Sequence, residues 1–151
     1  MSALTFLNKD ILHQSISYLA RREHTQKELV QKLKNKGFVH DEIDEVLHFL
    51  IENNYQSQFR AAQSIIRNRV SRGYGQFYIQ NELKQKGISS DIERMAYQDE
   101  PVDWFELVTQ TYLKKYGDIA IKDPKDKAKR IRFLQSRGFS YDEIASVLSL
   151  S

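Results

Sequence analysis

LKQKGI, Leu83 to Ile88, occurs three times in varied form along this 151-residue chain. Its counterparts are LKNKGF (Leu33–Phe38) and LQSRGF (Leu134–Phe139), which place Gly37, Gly87 and Gly138 at spacings of 50 and 51 residues. In each copy a leucine stands four residues before the glycine and an apolar residue follows it. This is the pattern of a helix stopped by a glycine in the left-handed conformation, with a hydrophobic contact just beyond the stop.

The register extends in both directions. After the first and third glycines, HDEIDEVLHFL (His40–Leu50) and YDEIASVLSL (Tyr141–Leu150) share Asp-Glu-Ile and Val-Leu, while the middle copy SDIERMAY is one residue shorter. Acids in a first turn suit the positive end of a helix, and Ile43, Val46, Leu47 and Leu50 recur at helical spacing, so they should face a core. Upstream, Leu12, Ile16 and Ala20 match Ala62, Ile66 and Val70 without a gap, Arg22 matches Arg72, and Leu29 matches Ile79. Thr25-Gln26-Lys27-Glu28 reads as a capping box, which puts Gly75 at the corresponding N-cap. Each copy is then three helices: Lys9–Arg22, Thr25–Lys36 and Asp41–Asn53; Gln58–Arg72, Gly75–Lys86 and Ser90–Gln98; Pro101–Tyr116, Pro124–Arg137 and Tyr141–Leu150. Pro101 and Pro124 suit first-turn positions. The third copy departs from the others in a lengthened first connection, Gly117–Asp123.

The expected fold is all-α, with three tandem three-helix repeats (9–57, 58–99 and 100–151) stacked into an elongated, curved array rather than one compact bundle. Charge follows the repeat. Lys9–Gly37 carries seven bases against three acids, Phe38–Ser57 five acids and no base, and Gln58–Gly87 six bases against one acid. Ile88–Glu106 then carries six acids against one base, and Leu107–Gly138 nine bases against three acids. The net charge is only +3, so the chain is patterned rather than strongly basic.

Composition removes several classes of function. Without cysteine there is no disulfide or thiolate metal site. No apolar run approaches the ~20 residues that span a bilayer, and the opening MSALTFLNKD lacks a basic segment followed by a long apolar one, so a cytoplasmic, non-membrane protein is expected. His13, His24, His40 and His48 have no partners at metal-ligand spacing, the acids Asp41, Glu42, Asp44 and Glu45 lack the glycine and spacing of a calcium loop, and no nucleophile–base pattern occurs. Neither catalysis nor a cofactor is expected.

RGYGQFYIQNELKQKGIS (Arg72–Ser89) resembles the signature of the RecX family, regulators of the RecA recombinase. YLARREHTQKELVQKLKNKGF (Tyr18–Phe38) and RGFSYDEIASVL (Arg137–Leu148) resemble that family's first and last repeats, and the resemblance runs from about Asp10 to Leu150. It implies three tandem three-helix repeats. It also implies binding to RecA and its filament on single-stranded DNA, with inhibition of strand exchange, ATP hydrolysis and filament growth. RecA, single-stranded and also double-stranded DNA are the partners so implied, for a protein expected to be a monomer.

Gly73-Tyr74-Gly75 lacks the preceding strand and the Gly-Lys-Ser/Thr ending of a nucleotide loop, and reads as a helix junction. Tyr74, Phe77 and Tyr78 stand beside Arg72, in a slot where the first repeat carries Lys27 and Glu28. Either a ring packs on the neighbouring repeat, or the three aromatics form part of a binding surface. Arg21, Arg22, Arg67, Arg69, Arg72, Lys84, Lys86, Arg130 and Arg132 complete the candidate surface, facing nucleic-acid phosphates or acidic patches on a protein partner. Trp104 is expected between repeats. An autonomous DNA-binding protein of helix-turn-helix-like units is the alternative reading.

Overall fold

A computed structural model describes residues 7–148. Among these residues all regular structure is helical: α1 Lys9–Arg21, α2 Gln26–Asn35, α3 His40–Glu52, α4 Gln58–Ser71, α5 Gln76–Gln85, α6 Ser90–Asp99, α7 Trp104–Tyr116, α8 Pro124–Ser136 and α9 Tyr141–Leu148. The helix pairs that pack most densely lie within triplets α1–α3, α4–α6 and α7–α9. Each triplet has its own core, around Ile11, Leu29, Leu33 and Ile43 in the first, Ile66, Ile79, Leu83 and Ile88 in the second, and Val108, Leu134, Phe139 and Ile144 in the third. Three cores make a tandem array, not a single bundle.

The recurring glycine does the same work in each repeat. Gly37, Gly87 and Gly138 hold φ of +92°, +83° and +94°. The amide after each one (Phe38, Ile88, Phe139) donates to the carbonyl of the leucine five residues back (Leu33, Leu83, Leu134), and each glycine N–H donates to the carbonyl one residue further on. Both bonds of a Schellman stop are therefore present three times. The capping box predicted at Thr25 and Glu28 is formed, and α9 opens with another between Ser140 and Glu143.

Some details differ from expectation. Helix α7 begins at Trp104 because the Asp103 carboxylate accepts from the Glu106 N–H, so Pro101 lies before the helix instead of in its first turn. Pro124 does open α8, behind the Asp123 cap. In α1 the buried stripe is turned by one residue: Ile11 and Ser15 are inside, Leu12 and Ile16 are partly buried, and Ala20 is exposed. Ser15 is accommodated there by donating to the Ile11 carbonyl. The expected end of the last helix at Leu150 lies outside the described residues.

Candidate partner-binding surface

The two seams between repeats are built from equivalent residues in different ways. At the first seam, the Gln58 side-chain amide sits between backbones: it accepts from the Gln26 N–H and donates to the Gly87 carbonyl. Lys27 Nζ donates to the Gln85 carbonyl, and Arg60 pairs with Glu23 at 3.0 Å. At the second seam the spacer is gone. Gly75 N–H donates directly to the Arg137 carbonyl at 2.6 Å, and Phe77 N–H to the Gly138 carbonyl at 3.1 Å. A Cβ on Gly75 would lie 2.6 Å from the Gly138 carbonyl carbon and oxygen, and one on Gly138 would overlap the Tyr78 backbone. Val70, Val102 and Trp104 pack against both the second and third cores, which puts Trp104 between repeats as expected.

This seam sorts the three aromatics. Gly73, at φ +82°, ends α4 in the same Schellman geometry and delivers Tyr74 into the seam. The Tyr74 ring lies 4.3 Å from that of Tyr78, with Arg137 over it at 4.5 Å and Arg69 at 5.6 Å. Tyr78 is about a third exposed, its backbone against Gly138. Phe77, at 60 % exposure, projects away. The packing expectation thus holds for Tyr74, which lies between repeats, while Phe77 stays exposed at the surface.

The bases divide in the same manner. Arg69 and Lys86 both bond Glu82, at 2.7 and 2.8 Å, and Lys86 also approaches Glu28 of the first repeat at 3.9 Å. Burial alone would raise the Glu82 carboxyl, but the bonds from Arg69 and Lys86 hold it below its ordinary range. Arg22 pairs with Glu28, and Arg67 with Glu100. Arg21, Arg72, Lys84 and Arg132 are exposed and form no ion pair among the described residues.

Arg130 does not belong to this surface. Its guanidinium is buried, donating to Tyr112 Oη, to the carbonyls of Ile119 and Ala120 and to the Asp126 carboxylate. It fastens the lengthened connection of the third repeat to that repeat's core, and every direction its donors point is already taken. Lys114 and Lys115 at the end of α7, and Arg137, are not among the candidates read from the sequence, and the second seam brings them together beside Arg72. Their own repeat gave no signal, because they look like ordinary bases at a helix C-terminus.

Comparison with known proteins agrees with this architecture. The family models for the first, second and third three-helix domains of RecX match residues 12–50, 59–94 and 102–148. "Regulatory protein RecX" of Vibrio campbellii is 44% identical over 89% of this chain and 87% of its own length. The protein of the same description from Vibrio vulnificus is 42% identical over 89% and 88%. The crystal structure of RecX from Lactobacillus salivarius superposes with a TM-score of 0.71 over 93% of this chain and 94% of that one, at 22% identity.

Proposed function

The chain belongs to the RecX family of regulatory proteins, and on that premise we propose that it binds the RecA recombinase and its filament on single-stranded DNA and inhibits filament growth, ATP hydrolysis and strand exchange. The observation that supports a filament rather than a single-site target is the spread of its uncommitted cations. Arg21 stands in the first repeat, Arg72 and Lys84 in the second, and Arg132 in the third, with Phe77 exposed between them. Contacts spread over three linked modules reinforce one another when their spacing matches a repeating partner. The action is steric, in the cytoplasm, by a monomer that carries out no chemistry.

The test is RecA's DNA-dependent ATP hydrolysis, followed while the protein is added well below the level that saturates the DNA. Inhibition at those levels is expected. Inhibition that begins only once the DNA is coated would replace this reading with simple competition by an autonomous DNA-binding protein.

A further inference from the structure

A cavity of about 470 Å³ opens between the second and third repeats, where α4, α7 and α8 all end. Four bases reach it: Arg72, Lys114, Lys115 and Arg137. No acidic side chain lines it, and among the described residues none of the four forms an ion pair. The ordinary explanation for bases at helix C-termini is the helix dipole. Three C-termini supply roughly −1.5 charge against four unit positive charges, so most of the charge stays unbalanced.

The hydrogen-bond inventory points the same way. Three backbone carbonyls at the cavity are occupied: that of Arg72 by Arg137 Nη1, that of Gly73 by Thr111 Oγ1, and that of Arg137 by the Gly75 N–H. The side chains of Arg72, Lys114 and Lys115, by contrast, donate to nothing among the described residues. Three cationic side chains without acceptors, in a lining that holds no carboxylate, favour an anionic acceptor. One wall is apolar, made by Val70, Leu107 and Phe133, with Lys115 Nζ 4.1 Å and Arg137 5.2 Å from the Phe133 ring. The space is in the ~300–1,000 Å³ range of pockets that hold a ring system as well as a charged group.

We propose that this inter-repeat cavity binds a nucleotide, its phosphate on Arg72, Lys114, Lys115 and Arg137 and its base against the Phe133 wall. The same chemistry is offered by a free nucleotide and by one nucleotide of a single strand. A peptide carboxylate would satisfy the cations but would leave the flat apolar wall unused, whereas base stacking on aromatic and cationic side chains is a recurring mode of single-strand binding. The inference rests on the reading above only for its nucleic-acid contact. Its assay contains no recombinase, so failure here is distinct from failure of filament inhibition.

The experiment is fluorescence anisotropy of the full chain with a labelled oligothymidylate and, separately, a fluorescent ATP analogue without magnesium. The parent is compared with R72E/K115E and with the charge-matched control K9E/K125E, both of whose sites are exposed first-turn positions. R72E/K115E is expected to melt like the parent, to bind at least about tenfold more weakly, and to show a log K–log salt slope on the strand reduced by about 1.4, for two lost phosphate contacts. Saturable binding of the ATP analogue that the strand displaces assigns the cavity to nucleotides in either form. Binding of the strand alone assigns it to a nucleotide held within a strand. Equal weakening by the control pair, absence of binding to either probe, or displacement by a glutamate-rich peptide as effective as displacement by nucleotide would overturn the proposal.

Discussion

Gly75→Ala measures how closely the second and third repeats are fitted. At φ −86° the backbone suits any residue, so in open surroundings the added methyl would stabilise by about 0.4–1 kcal/mol through the unfolded chain. Here the methyl would stand 2.6 Å from the Gly138 carbonyl and 2.7 Å from the Phe139 nitrogen. Backbone cannot step aside as a flexible side chain can, so the repeats must part. Overpacking of this kind costs about 1–3 kcal/mol, and the two backbone bonds from Gly75 and Phe77 contribute about 0.5–1.5 kcal/mol each. The net expectation is a loss of about 3 kcal/mol, or a fall of about 6–12 °C in Tm for a chain of this size. Gly37→Ala provides the contrast. Nothing lies within 4 Å of its Cβ position, and only the left-handed backbone is strained, so about 1 kcal/mol is lost. Thermal unfolding followed by circular dichroism gives both numbers, and amide exchange at Phe77 reports the seam itself. A Gly75→Ala protein melting within about 2 °C of the parent, with the Phe77 amide still protected, would refute the reasoning.

Arg130→Ala is expected to lower Tm far more than Arg132→Ala, whose exposed side chain should matter by no more than about 0.5 kcal/mol, and to leave nucleic-acid affinity per folded molecule unchanged; parallel melts and anisotropy titrations check this. Phe77→Ala should weaken filament binding with Tm intact, whereas Tyr74→Ala should lower Tm first, since its ring is clasped by Tyr78, Arg69 and Arg137; co-sedimentation with RecA filaments beside a melt separates the two. His24 is buried, accepts from the Lys32 ammonium at Nε2 and donates from Nδ1 to the Arg22 carbonyl. Burial, opposed by the Arg22 carbonyl and aided by the charges of Arg22 and Lys32, holds its pKa below 6.5. Its stabilising contribution is therefore complete above pH 6.5 and lost as pH falls through the depressed value, so urea midpoints should decline over that window in the parent and less in His24→Gln.

The helices were legible because the signals that define them are local. The Leu-x-x-x-Gly stop, the Thr25–Glu28 box and the apolar spacing of α3 each act within a few residues. What a residue does across a seam was not. Gly75 reads as an adequate N-cap, and nothing nearby discloses that its missing side chain admits Gly138, 63 residues on. Arg130 was concealed differently. Within the run Lys125–Arg132 every base looks solvated, yet Arg130 stands eight residues before Gly138, the place that Leu29 holds before Gly37 and Ile79 before Gly87. All three are buried. A cation in an apolar register slot was the available sign that it faces inward, and the inserted connection in the same repeat supplies the carbonyls that receive it.

The unequal seams bear on how three repeats act as one binder. The Gly75–Gly138 contact joins the second and third repeats through main-chain bonds and a shared apolar strip, so these two present Arg72, Phe77 and Arg132 in a fixed relation. The first repeat is attached mainly through side chains, those of Gln58, Lys27 and Arg60, which have rotamer freedom to adjust. Fixed spacing between contacts raises affinity only where the partner's spacing matches, and an adjustable link tolerates mismatch at some entropic cost. On the function proposed above, such a chain would hold its second and third repeats pre-set and leave the first, with Arg21, to adjust to the partner. The departures of RGYGQFY (Arg72–Tyr78) from the first repeat's REHTQKE (Arg22–Glu28) are what make that difference: glycine in place of Thr25 closes the seam, and Tyr74 in place of His24 fills it.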